Sequence, residues 1–243
     1  PAMDWRDQGI LLNVRAYGET SAIIDVFTKD HGRYAGVVRG GRSRKMKPTL
    51  QPGAQLDLTW RARLQDHLGT FRIELLHNRS ALAMGDRQTL SALNAVTAMV
   101  LTFLPEREPC APLYTATEYL FDLLDDQAIW PIAYLKWELS LLDVLGFGLD
   151  LSACAVTGTT EDLAYISPKT GRAVSREAAG DWANRLFAFV PVLSGAEECD
   201  LNDLKTAFDM TGYFYENHVL KGLGLKAVPA ARARFVDIMS QIA

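Results

Sequence analysis

Residues 21–41 read SAIIDVFTKDHGRYAGVVRGG, and their patterning decides the first part of the fold. Ala22, Ile24 and Val26 alternate with other side chains, while Ile23 and Phe27 fall on the opposite face. Alternation with a period of two over a short run marks a half-buried strand. Lys29-Asp30-His31-Gly32 follows, and Asp and Gly tolerate the positive φ that a tight hairpin needs. Tyr34 to Val38 is the next strand, ended by Gly40-Gly41.

Working outward, Ile10, Leu12 and Val14 alternate ahead of Tyr17-Gly18-Glu19, which has turn chemistry. Beyond Pro52-Gly53 come Leu56, Leu58 and Trp60, then Phe71, Ile73 and Leu75. Trp60 shares its face with Leu56 and Leu58, so it is assigned to the core. Five short strands within residues 3–80 suit a small closed barrel, because closure removes exposed sheet edges. Periodicity alone does not separate an OB-fold from an SH3-like barrel.

Near residue 80 the period changes. Leu90, Leu93, Val96, Val100 and Leu104 recur at helical spacing from Arg87 onward, and Pro105 ends the run. Leu113 to Leu124 and Ile132 to Leu145 predict two more helices, the second capped by Gly146. Asp200 is placed to N-cap a segment running to about Leu220. Val228 to Ile242 predicts a last helix with Pro229 in its first turn. Between them, residues 152–176 hold Gly158, Gly171, Pro168 and the Tyr165-Ile166 pair, a pattern that predicts a hairpin-like insert. The expected class is therefore α+β, with a barrel over 3–80 and a helical domain over 81–243. Pro1 and Ala2, ahead of Met3, are set apart from the fold as an appended scar.

The net charge of −4 hides a division. Residues 1–80 hold 13 Lys and Arg against 8 Asp and Glu, a net of +5; residues 81–243 hold 12 against 21, a net of −9. Polyanions would be drawn to the first part. Its sharpest feature is His31 to Leu56, which has Arg33, Arg39, Arg42, Arg44, Lys45 and Lys47 and no acidic residue. Arg forks onto phosphate oxygens, Lys acts as a point charge, and both release counterions on binding. Arg61 and Arg63 follow Trp60, and Tyr34 sits beside Arg33 as a candidate for stacking on an unpaired base. The bland alternative is a solvated basic loop.

Other chemistry is poorly supported. No Gly-x-x-x-x-Gly-Lys-[Ser/Thr] loop or Gly-x-Ser-x-Gly elbow is present. His31, His67, His77 and His218 are scattered, with no His or Cys at metal-ligand spacing. Asp125-Asp126 and Glu197-Glu198 read as solvated acids. Cys110, Cys154 and Cys199 are odd in number and widely spaced, which fits reduced thiols in a cytoplasmic chain. The longest apolar-leaning stretch, 90–104, is too short to span a membrane.

Several blocks, taken in order, resemble bacterial RecO proteins. They are Asp4-Trp5, Gly9-Ile10-Leu11-Leu12, Tyr17-Gly18-Glu19-Thr20-Ser21, Val26-Phe27-Thr28, His31-Gly32 and Val37-Val38-Arg39-Gly40-Gly41-Arg42. Pro52-Gly53 before a strand and Lys136-Trp137-Glu138-Leu139 running to Leu145-Gly146-Phe147 continue the resemblance. It implies an OB-fold barrel followed by a helical domain. It also implies binding of single- and double-stranded DNA, annealing without catalysis, and action with RecR and the acidic tail of single-strand-binding protein to load RecA, in the cytoplasm at the nucleoid. The DNA role would fall on Arg33, Arg39, Arg42, Arg44, Lys45, Lys47, Arg61 and Arg63. Lys136, Trp137 and Lys205 are candidates for the tail, which needs a cation beside an apolar slot. A rival function is a protein adaptor whose basic barrel docks acidic peptides. Many members carry a four-cysteine zinc site, but here Cys154 is followed by Thr157 where a Cys-x-x-Cys pair would finish, and Ser175 stands where another thiol would be needed. No zinc and no other cofactor is expected, since one cysteine does not build a four-ligand site.

Overall fold

The computed structural model describes residues 3–241, so Pro1, Ala2 and the Ile242 end of the last predicted helix lie outside the described residues. The chain forms two compact units. One runs to Asp125 and takes in Pro229–Phe235; the other is Asp126–Val228 with the residues from Val236 onward.

In the first unit, β1 (Met3–Tyr17), β2 (Ser21–Thr28), β3 (Gly32–Val38), β4 (Gln55–Ala62) and β5 (Thr70–His77) close a barrel in the order β1-β2-β3-β5-β4. The long β1 is shared: Met3 to Ile10 pair with β4, and Gly9 to Tyr17 pair with β2. The closing contact between β3 and β5 is parallel, at Val37 and Thr70. This closure is that of an OB-fold and removes the SH3-like alternative.

The barrel interior holds Ala22, Ile24, Val26, Tyr34, Val38, Leu56, Leu58, Trp60 and Phe71, largely on the faces that alternation assigns. The first strand differs. Leu11, rather than Ile10 or Leu12, joins this core, with Val14 packed against it. The β1–β2 register shifts between Leu11 and Asn13, a β-bulge that changes which residues face inward. Ile10 and Leu12 are buried too, outside the barrel interior, where α2 (Arg87–Phe103) packs on β1. Both faces of this stretch are therefore covered, and simple alternation is lost.

A short helix, α1 (Arg79–Ala83), precedes α2. Asp86 caps α2, accepting from the Gln88 and Thr89 amides. α3 (Ala111–Asp122) begins with Pro112, whose missing N–H costs nothing in a first turn. Arg79 is 3% exposed and donates to Gly53 O (3.2 Å) and Gln55 Oε1 (2.7 Å), with its guanidinium over the Phe121 ring. Gln55 Nε2 in turn donates to Tyr114 Oη at 2.7 Å. Burial lowers the Arg79 pKa and raises that of Tyr114.

The segment joining α2 to α3 is strapped to the barrel. Arg107 N donates to Arg33 O at 2.7 Å, and the Arg107 guanidinium donates to the carbonyls of Gln65 and His67. It lies 4.4 Å from the Tyr34 ring centroid and 5.5 Å from that of Trp60, a cation–π arrangement.

The second unit has α4 (Trp130–Val144) and a three-stranded sheet, β7-β6-β8, built from β6 (Leu163–Ile166), β7 (Ala173–Ser175) and β8 (Phe187–Ala188). The insert is thus a hairpin, as the sequence predicts, extended by a third strand. Short helix α5 (Arg176–Ala179) follows β7. α6 (Leu201–Phe214) is capped by Asp200, which accepts from Asp203 N at 2.8 Å. A π-helical turn, Tyr215–Val219, carries it into α7 (Leu220–Leu223). α8 (Ala230–Ser240) ends the described chain, its residues divided between the units at Phe235. The buried Glu138 of α4 accepts from Thr211 Oγ1 at 2.5 Å and, through its carbonyl, from Tyr215 Oη at 2.6 Å, joining α4 to α6 and the π turn.

Gly32 sits at the β2–β3 turn with φ +72°, and an added Cβ would lie 2.2 Å from the Glu108 carbonyl oxygen. Both strain and collision oppose a side chain there. Gly32→Ala is predicted to destabilise the first unit by about 1–3 kcal/mol. Urea unfolding followed by tryptophan fluorescence measures it; an unchanged midpoint would show that the strap is not fixed against this turn.

Candidate nucleic-acid interface

The basic residues lie mainly on the connection between β3 and β4. Its start is pinned by Arg42, whose amide donates to Thr20 O (3.1 Å) and whose Nη1 donates to Gly18 O (2.6 Å). Within it, Met46 N and Lys47 N donate to Ser43 O, Leu50 N donates to Met46 O, and Gln51 Nε2 donates to Lys47 O at 2.9 Å. Its end is sewn to β1: Gly53 N donates to Leu11 O (2.7 Å) and Leu11 N to Ala54 O (2.9 Å). Buried Leu50 joins the barrel core, with Met46 packed against it. The loop backbone is therefore pinned at both ends and anchored to the core through Leu50 and Met46.

Arg39, Arg42, Arg44, Lys45 and Lys47 are all exposed. Among the described residues, none of these five has an ion-pair partner. Arg61 is exposed on β4 and lies 3.5 Å from the equally exposed Asp4, a pair worth little in solvent. Arg63 is exposed just past the strand. Arg72 on β5, the cation that follows Phe71, lines one cleft with Arg39 and Arg61. The inward assignment of Phe71 turns this next side chain outward.

Two predicted site residues are placed differently. Arg33 Nε donates to Leu104 O at 2.8 Å, its Nη1 lies 3.5 Å from Glu106 Oε1, and the side chain is only 16% exposed. It ties β3 to the strap instead of facing solvent. Tyr34 is 6% exposed, in edge contact with Trp5 and Trp60 and beneath Arg107. Its ring belongs to the core and is not displayed for stacking.

Of the three candidates for an acidic tail, Lys136 and Lys205 are exposed on α4 and α6. Trp137 is 3% exposed and packs beside Tyr134, so it offers no open apolar slot.

The Cys154 neighbourhood does not fit a zinc ion. Its sulfur accepts from Val156 N (3.4 Å) and Ser175 N (3.3 Å), with the Thr157 and Ser175 hydroxyls as further partners in place of thiolates. Among the described residues no three His, Cys, Asp or Glu gather to hold a metal. Burial raises the thiol's pKa, but these hydrogen bonds outweigh it and bring it down to about 6.

Family models for the N- and C-terminal parts of recombination protein O match residues 3–79 and 84–227. The chain belongs to the RecO family. Over 239 residues, 98% of the chain, it is 56% identical to a protein of Ruegeria sp. (strain TM1040) and 57% identical to one of Roseobacter denitrificans; 99% of each relative is covered. A Cereibacter sphaeroides relative is 53% identical with the same coverage. All three carry the name DNA repair protein RecO. The RecO N-terminal match coincides with the barrel strands, β1 to β5. No helix among the described residues is long and apolar enough to cross a membrane.

Two outcomes follow. Arg33→Ala is predicted to lower the unfolding free energy by about 1.5–3 kcal/mol, the worth of charge-assisted hydrogen bonds, whereas Arg44→Ala stays within about 0.5 kcal/mol of the parent. Equal losses in denaturant titration would contradict the assignment of Arg33 as a strap and Arg44 as a free cation. For Cys154, a folded pKa of about 6 against an ordinary 9 makes its contribution to stability grow as pH rises from 6 to 9. Cys154→Ala should flatten that rise, as read from melting temperature across the range; an unaltered pH profile would refute the thiolate assignment.

Proposed function

We propose that the chain is a non-catalytic DNA-repair protein that binds single- and double-stranded DNA through the barrel's cationic face and speeds annealing of complementary strands. The observation that carries this is the β3–β4 loop, pinned at both ends, with Arg39, Arg42, Arg44, Lys45 and Lys47 exposed and, among the described residues, none of them in an ion pair. Phosphates are the natural ligand for such a surface, and displacement of condensed counterions favours the complex without sequence preference. Neutralising phosphate charge lowers the repulsion between two strands, so pairing needs no ATP. Membership of the RecO family and the relatives' printed name support the repair role.

The same proposal includes work with RecR, the acidic tail of single-strand-binding protein and, indirectly, RecA, in the cytoplasm at the nucleoid. The resemblance supports these partners, and the acidic helical part is where the protein contacts are proposed.

Fluorescence anisotropy with a labelled single-stranded oligonucleotide tests the core of this. With roughly four phosphates neutralised, log Kd should change with log salt at a slope of about 3, from about 0.7 per phosphate. Arg44→Glu, Lys45→Glu and Lys47→Glu together should weaken binding and reduce that slope. A flat salt response, or an unaffected triple variant, would refute DNA binding at this loop. Binding of an acidic peptide but no oligonucleotide would favour the adaptor function instead.

A further inference from the structure

The basic loop contributes residues to two separate clefts. The first, of about 570 Å³, is lined by Arg39 and Met46 of the loop, Arg61 of β4, and Phe71, Arg72 and Ile73 of β5. The second, of about 490 Å³, is lined by Arg44, Lys47 and Pro48 of the loop, with Asn78, Met84 and Leu90 beyond it. Both belong to the first unit. Each has cations supplied by the same loop, and the second is also lined by Met84 and Leu90, 83% and 46% exposed.

Among the described residues, Arg39 and Arg72 line the first without ion pairs, and Arg44 and Lys47 line the second without ion pairs. Different cations of the same region therefore line each cleft, and each is complementary to a polyanion. We propose that the protein holds two single strands of nucleic acid at once, one in each cleft, with residues 39–51 supplying cations to both. This rests on the nucleic-acid function proposed above and deepens it: two phosphate backbones are each met by cations of one loop, which screen each from the other. In the second cleft, Met84 and Leu90 cover base faces, a role usually given to aromatic side chains.

The test uses the full chain, immobilised as single molecules at low salt, and two dT oligonucleotides, one carrying a donor dye and one an acceptor. Each is about 16 nucleotides long, the upper end of a barrel's footprint, so one strand fills a continuous track by itself. Two dT strands do not pair with each other, so energy transfer on one molecule reports co-occupancy alone. The parent chain should show transfer. Arg39→Gln with Arg72→Gln, and separately Arg44→Gln with Lys47→Gln, should each reduce occupancy from two strands to one and slow annealing. The strand that remains should stay tightly bound. These positions are exposed, and unchanged melting temperatures confirm that the variants fold. Tight binding of one strand with no transfer, or both pairs of substitutions weakening a single shared site, would overturn the two-strand proposal while leaving DNA binding intact. No binding of dT by the parent chain would overturn both.

Discussion

Two backbone hydrogen bonds at Leu11 organise the candidate interface. Leu11 faces the barrel interior just ahead of the bulge in β1, and its N–H and C=O bond to Ala54 O and Gly53 N, next to the Ile10–Gln55 pair. That pair fixes the far end of the basic loop against the middle of the longest strand. Gly53 is also constrained from outside, since a Cβ there would lie 2.7 Å from Leu93 of α2, and its carbonyl accepts from buried Arg79. The near end is held at Thr20 and Gly18 by Arg42. A main chain fastened in this way leaves less backbone ordering entropy to oppose ligand binding.

The same closure explains why so many cations remain available. Arg33 and Arg107, which a charge count would add to the binding surface, bind carbonyls and hold the strap on the barrel. Arg79 is buried and Arg6 is committed to Asp57 in a two-pronged pair. Arg33, Arg79 and Arg107 hold the unit together, whereas Arg39, Arg42, Arg44, Arg61 and Arg72 are exposed on the loop and on β4 and β5.

Much of this was legible in the sequence. The five strand runs, the Lys29–Gly32 turn, the start and end of α2, Asp200 as a cap and the insert hairpin all follow from local pattern, and local pattern is sufficient where one face is buried. The phase of β1 was hidden, because both its faces are covered and a bulge intervenes at Leu11–Asn13. Strand β8, two residues long, and helix α1, five residues long, are too short to show a period. At the site, net charge and the acid-free run located the loop, but not which cations are engaged. Arg33 meets Leu104, 71 positions away, and Arg107 meets Gln65, 42 positions away; no window of sequence brings such partners together. Trp137, a candidate for the tail, is instead 3% exposed on α4 beside Tyr134.

The most direct test of the central claim, that nucleic acid lies on this pinned loop and the neighbouring strands, is hydrogen–deuterium exchange of the full chain with and without single-stranded DNA. The account predicts slowed exchange confined chiefly to residues 39–54 and 70–73. Slowing restricted to the second unit, with the loop unchanged under saturating DNA, would contradict it.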